Sequence, residues 1–365
     1  MNVRIIIAVG ALALAYGCAE DPPTIHEGET RVELTVVGDT SVYDTTTSTP
    51  VPLAGAEFTF ASEYGKQFYV ADENGRVVID GLPSSFYNVA ARARHPEFEF
   101  ILLAGNLNDA PIISGSTLID TIEARQIANT GVEIHEIYAG GPDNNFFYFY
   151  DQFIELYNYS GETKYLDGWI VYRVSGNRDE GGPGFDAGAD DDIDGAIYIF
   201  KFPGEPGEKN IPFPPDSYVV LAQDAVDHRN SISTSIDLTN ADWEFYNQYS
   251  STDIDNPNVP NLSNLRSEKT VDFMINLVSD VIVVSNGEDA VWEDGIDIET
   301  IVDALEYQSK TYLLKTLDPR VDRSFALSPP KYTGQSMQRT EPGNDTNDGL
   351  LDWEQIPFPT PGYHK

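Results

Sequence analysis

Cysteine is almost absent from this chain of 365 residues: there is one, Cys18. No disulfide can form within the chain, so the fold rests on its apolar core. Basic residues are scarce as well. Lys and Arg total 22 against 59 Asp and Glu, a formal charge of −37. Such a field repels phosphate backbones and anionic headgroups, which argues against a nucleic-acid partner and against membrane contact through protein charge. The five histidines, His26, His95, His135, His228 and His364, are scattered, with no H-E-x-x-H and no close pair. No G-x-S-x-G stands anywhere in the chain. No run approaches the ~20 consecutive apolar residues that a membrane-spanning helix needs.

Beta-forming residues are plentiful. Tyr 20 and Phe 18 against Met 3 favour strands over helices. The first residues have another purpose. Asn2-Val3-Arg4 is a short basic start, Ile5 to Ala15 is apolar but too short to span, and Gly17-Cys18 ends the run with a small residue and a thiol. This stretch resembles a bacterial lipoprotein signal, with Ala15 where that pattern usually has leucine. The resemblance implies that residues 1–17 are removed and that Cys18 carries a lipid, the membrane contact of the mature protein. Residues 18–30, with Glu20, Asp21, Pro22, Pro23, Glu27 and Glu29, read as an extended acidic tether. The tether resembles the export tags of Bacteroidota surface lipoproteins, which implies an outer-membrane protein exposed at the cell surface.

About 345 residues remain, enough for two or three domains. Residues 31–127 alternate and turn like a small sandwich. Arg31 to Val37 is a strand by period, 39–50 a Thr/Ser-rich loop, and Phe68 to Ile79 two strands joined at Asn74-Gly75, whose residues tolerate positive φ. The order Leu53-Ala54-Gly55-Ala56, Ala71-Asp72-Glu73-Asn74-Gly75, Gly81-Leu82-Pro83 and Tyr87-Asn88-Val89 resembles the carboxypeptidase-regulatory-like and Cna-B-type sandwiches. That resemblance implies a prealbumin-like spacer or docking module. Asp72 and Glu73 are explained by the turn itself.

Residues 128–365 carry a second set of motifs. Glu133-Ile134 opens it, Phe153-Ile154-Glu155-Leu156-Tyr157-Asn158 and Leu166-Asp167-Gly168-Trp169 follow, and Ser336 to Arg339, Asp352-Trp353 and Thr360-Pro361-Gly362 close it. Together these resemble the lamin-tail-type immunoglobulin-like sandwich, with insertions at 173–216 and 224–300. The expected architecture is all-β: two consecutive sandwiches, the second larger. The layout is similar to that of uncharacterised Bacteroidota lipoproteins grouped as a domain of unknown function.

Phe153, Leu156 and Trp169 are core candidates, and Glu155 and Asn158 suit strand-end hydrogen bonds. The run Phe146 to Tyr150 has two readings. Exposed, it is a stacking platform for a sugar or a partner loop. Buried, it is sandwich core, which its continuous apolar character favours. Asp190, Asp192 and Asp194, followed by Gly195, have the start of a Ca²⁺ loop, but Lys201 holds the twelfth position where a bidentate Glu belongs. A solvated acidic loop is the default there, Ca²⁺ the alternative, and no other cofactor is expected. Asn344 to Asp352 holds a weaker acidic turn. His135 reads as a strand-surface histidine. Asp224, Asp227 and His228 form the best remaining cluster, with a structural role leading.

With no catalytic set, the expected function is non-enzymatic: a surface lipoprotein that binds a ligand or serves a TonB-dependent outer-membrane transporter. Two alternatives stay open, a polysaccharide hydrolase using carboxylates of the insertions and a calcium-stabilised adhesion module.

Overall fold

The computed structural model describes residues 30–38, 50–96, 102–127, 130–174, 192–289, 291–309, 317, 321, 322 and 324–364. Cys18, the 18–30 tether up to residue 29, and Asp190 lie outside the described residues. The regular structure described is almost wholly strand, with one short α-helix, Gly349–Asp352, and short 3-10 turns. No described helix is long and apolar enough to cross a membrane.

Strand Arg31–Gly38 sends every second side chain inward, and Val32, Leu34 and Val36 are fully buried. It pairs antiparallel with Arg76–Asp80 and parallel with residues 117–124 of the Thr117–Ile127 strand. That long strand then turns to residues 102–104 of Leu102–Ile112. This carries the sheet on through Ser85–Arg94, Glu57–Ser62 and Gly65–Val70. One sheet thus folds over on itself, and Phe58, Phe60, Tyr87 and Val89 meet the Arg31–Gly38 strand in a common core. The strands joined at Asn74-Gly75 are not a hairpin: Gly65–Val70 pairs with Glu57–Ser62, and Arg76–Asp80 with Arg31–Gly38. The turn is a crossing between layers, held by Asp72, whose Oδ1 accepts from the amides of Asn74 and Arg76 at 2.8 and 3.0 Å.

From residue 132 onward two six-stranded sheets face each other. One contains Val132–Tyr138, Phe153–Asn158, Ser217–Ala222, Ser336–Arg339 and Trp353–Ile356. The other contains Ile170–Val174, Ala196–Lys201, Ser279–Ser285 and Ile301–Gln308. Ile154, Leu156 and Leu221 interdigitate with Val171, Phe200, Ile282 and Leu305 between them. The stretches read as insertions are therefore part of the sandwich, because Ala196–Lys201 and Ser279–Ser285 flank Ile170–Val174 in its second sheet. Trp169 is half-buried against this core, while Phe153 faces outward under Ala225, Leu238 and Val259.

The C-terminal residues cover the rest of that outer face. His135 is therefore not a surface histidine. It is fully buried, with Tyr157, Tyr218 and His364 rings within 5.6 Å. Glu155 is likewise buried mid-strand, accepting from the Gly362 amide, and burial lifts its carboxyl to about 9. Asn158 does hold a strand end, donating to the carbonyls of Glu162 and Phe213 at 2.8 and 2.7 Å.

Candidate ligand-binding site

The run Phe146 to Tyr150 is a loop, not core. Phe146 is 81% exposed and Phe147 69%. The reason lies four residues before Tyr148. Asn144 accepts from the amides of Phe146 and Tyr148 at 2.9 and 3.0 Å, and donates to the carbonyls of Pro142 and Tyr148 at 2.7 and 3.1 Å. Four bonds from one amide side chain close the backbone into a tight loop that no strand can continue. Phe147 is driven to φ 59°, a conformation costly for a bulky residue.

The loop is fixed from outside too. The Tyr332 and Gly334 amides donate to the carbonyls of Gly140 and Gly141 at 2.6 and 3.0 Å. Phe147 meets the edge of Tyr332 with centroids 5.5 Å apart. Thr234 Oγ1 donates to the Asp143 carbonyl at 2.7 Å. Tyr148 Oη lies 2.6 Å from His228 Nδ1. Behind the loop, Asp151 is fully buried and accepts from Ser235 and Tyr138, and burial raises its carboxyl to about 6. The platform thus combines two exposed rings with a backbone that cannot relax around them.

Other candidate residues fall elsewhere. Asp192 lies in a two-residue strand paired with Ile296–Asp297, its carboxylate packed so close to Gly295 that a Cβ there would meet it at 2.2 Å. Asp194 follows it, half-buried. Among the described residues no three acidic, histidine or cysteine side chains converge as a metal site. Asp227 caps the short helix His228–Asn230, and His228 is 1% exposed. Asp224 is 4% exposed, and burial with Asp253 beside it raises its carboxyl to about 8. Asp253 rises to about 7, chiefly by burial. Asp224 thus has almost no open surface, and Asp253 is half-buried.

The weak acidic turn has an unexpected role. Asp345 and Asp352 close on Arg339, which also meets Asp303 at 2.8 Å and Glu133 at 3.5 Å. The signal available in sequence was the Ser336-to-Arg339 motif, but not the four carboxylates drawn to it.

A cleft separates the two sandwiches at the far end of the Phe153–Asn158 strand. Its volume is about 610 Å³, and Arg92, Arg94, Tyr157, Tyr159, Lys164 and Asp216 are among its walls. Arg92 crosses it, donating through Nη1 to Asn344 Oδ1 at 2.9 Å and to the Gly343 carbonyl at 3.3 Å.

Residues 214–293 match the profile of a family described as "Protein of unknown function (DUF4876)". That segment supplies His228, Thr234, Ser235 and Ile275, all of which hold the aromatic loop or its base. The chain is similar to the crystal structure of a DUF4876 family protein from Bacteroides thetaiotaomicron VPI-5482. The two are 18% identical, with 89% of this chain and 94% of that one covered and a TM-score of 0.55. At that identity the likeness is one of fold. Weaker matches are the Bacillus anthracis TIE protein (14% identity, 53% of this chain and 28% of that one, TM-score 0.20) and a Bacteroides uniformis ATCC 8492 structure provisionally described as a carbohydrate binding protein (13%, 39% and 61%, TM-score 0.17). Both superpose too little to bear on this fold. No curated protein matches.

Proposed function

We propose that this chain is a non-enzymatic binding protein of the cell surface, held at the outer membrane by lipid on Cys18, and that its aromatic loop takes a carbohydrate ring. The observation that carries this reading is the locked exposure of Phe146 and Phe147. Burying a Phe side chain is worth about 1.5–3 kcal/mol, so two rings left in water on a strained, fully hydrogen-bonded loop point to a ligand. Flat aromatic faces suit the C–H face of a pyranose, and fixed rings lose little entropy on binding. Two β-modules on an acidic tether fit an accessory that captures a glycan beside a TonB-dependent transporter.

A glycan array probed with the full chain tests the reading. Capture of specific neutral glycans by the native protein, lost in Phe146→Ala/Phe147→Ala with the thermal midpoint unchanged, is expected. Glycan capture that persists in the double variant overturns it, and so does recovery of a protein in place of any glycan. The anchor has its own check: radiolabelled palmitate should enter the native chain and not Cys18→Ala.

A further inference from the structure

The cleft between the sandwiches is a second site, about 20 Å from the aromatic loop by the length of the six-residue strand between them. Among the described residues Arg92 hydrogen-bonds to uncharged acceptors, the Asn344 side chain and the Gly343 carbonyl, while its charge also acts on the buried carboxyls of Glu133 and Asp345. Among the described residues no carboxylate forms an ion pair with Arg92 or with Lys164. In a chain with 59 acidic residues against 22 basic ones, many cations meet a carboxylate. Arg31, Arg76, Arg173, Arg229, Arg266 and Arg339 each meet at least one. Arg92, Arg94 and Lys164 outnumber the two carboxylates on the cleft walls, Glu162 and Asp216, and form a local anion site inside a repelling field.

The rest of the cleft narrows the ligand. A volume of about 610 Å³ lies within the range of small-molecule sites, and domain interfaces are where such sites gather. Arg92 has one terminal nitrogen engaged with the 343–344 loop, which fixes its fork while leaving other N–H donors. A planar fork suits a carboxylate. Tyr157 and Tyr159 add ring and hydroxyl surface, and Asp216, which accepts from the Tyr157 hydroxyl at 3.4 Å, offers acceptors for ligand hydroxyls. We propose that this cleft binds a carboxylated sugar of the uronic-acid class, with Arg92 gripping the carboxylate and Lys164 supplying the second positive charge. The site uses none of the aromatic loop and stands or falls apart from it.

The test is calorimetric titration of the full chain with galacturonate, galactose and inorganic phosphate. Galacturonate should bind one to one, with galactose and phosphate each at least about tenfold weaker, a difference of about 1.4 kcal/mol. Arg92→Lys keeps the charge but loses the fork, and should weaken galacturonate about tenfold. Lys164→Gln, which takes no part in the Arg92 bonds to Gly343 and Asn344, should weaken it several-fold with an unchanged thermal midpoint, so loss of folding in the first variant does not obscure the result. Phe146→Ala/Phe147→Ala should leave galacturonate binding intact, which separates this site from the aromatic one. No binding at millimolar galacturonate overturns the proposal. So does equal binding of galactose or phosphate, or galacturonate binding indifferent to both cation variants.

Discussion

His228 accepts the hydroxyl proton of Tyr148 on Nδ1 at 2.6 Å. The direction follows from the other side of the ring. Nε2 faces the Asp224 carbonyl at 2.9 Å, an acceptor only, so the proton sits on Nε2. Burial lowers the imidazole pKa and keeps the ring neutral. Tyr148 is thereby pinned at the base of the exposed rings. Tyr148→Phe removes the donor and leaves a buried nitrogen unsatisfied, at about 1–3 kcal/mol. Urea unfolding should show that loss, and glycan affinity should fall in parallel. Undiminished stability would mean the bond does not hold the loop.

Arg339 anchors four carboxylates, Glu133, Asp303, Asp345 and Asp352. Burial, only partly offset by Arg339, raises Glu133, Asp303 and Asp352 to about 7 each. Asp345 is also pushed up by burial, but Arg339 pulls it below its usual value. Arg339→Met leaves buried charges without a counterion, costing about 3–5 kcal/mol at neutral pH. Groups with raised folded pKa values stabilise below their unfolded values and lose that contribution as pH rises through the folded value. The variant should therefore recover stability between pH 7 and pH 5, measured by denaturant titration at both. An equal deficit at the two pH values would contradict this account.

His135 titrates with the opposite sign. Burial first, and then the positive charge of Arg339, push its imidazole down to about 3. Glu133 Oε1 and His364 Nδ1 each lie 3.3 Å from its ring nitrogens. Below about pH 6.5 the unfolded chain takes up a proton that the folded ring refuses, so stability falls as pH drops toward 3, by up to about 1.4 kcal/mol per unit. His135→Asn should flatten that acid limb relative to the native chain, the carboxylate contributions being largely common to both. Parallel curves would refute the assignment.

Gly75 and Gly81 both have positive φ, 69° and 84°. A Cβ on Gly75 would meet the Val36 carbonyl at 2.6 Å and the Leu53 amide at 2.8 Å, whereas nothing lies within 4 Å at Gly81. Gly81→Ala should cost only backbone strain, about 1–2 kcal/mol. Gly75→Ala should cost clearly more, since the layer crossing must open. Thermal unfolding of the pair measures the difference, and equal midpoints would rule out the steric part.

Much of the architecture was legible. Period-two patterning marked Arg31 to Val37 and the Phe153–Asn158 strand, because alternate side chains face one core. Other expectations failed for identifiable reasons. The apolar run at 146–150 looked like a strand buried on both faces, but Asn144 spends its whole side chain on closing a loop there. His135 looked exposed because its cover, residues 360–364, lies more than two hundred positions away. The meeting of Arg92 and Lys164 in one cleft gave no signal, since it is a fact of space.

By itself the sequence determined the all-β character, the place of Cys18 with its acidic follow-on, and a formal charge of −37. Those are matters of composition, local period and total charge, which hold whatever the chain's path. Only the tertiary structure decided which aromatics face water, which carboxylates surround Arg339, and which cations gather in one cleft. Each depends on long-range pairings such as Ile137 with Met337, and on loops that fold back across a face. Burial and charge pairing are properties of neighbours in space, so they could not be read from neighbours in the chain.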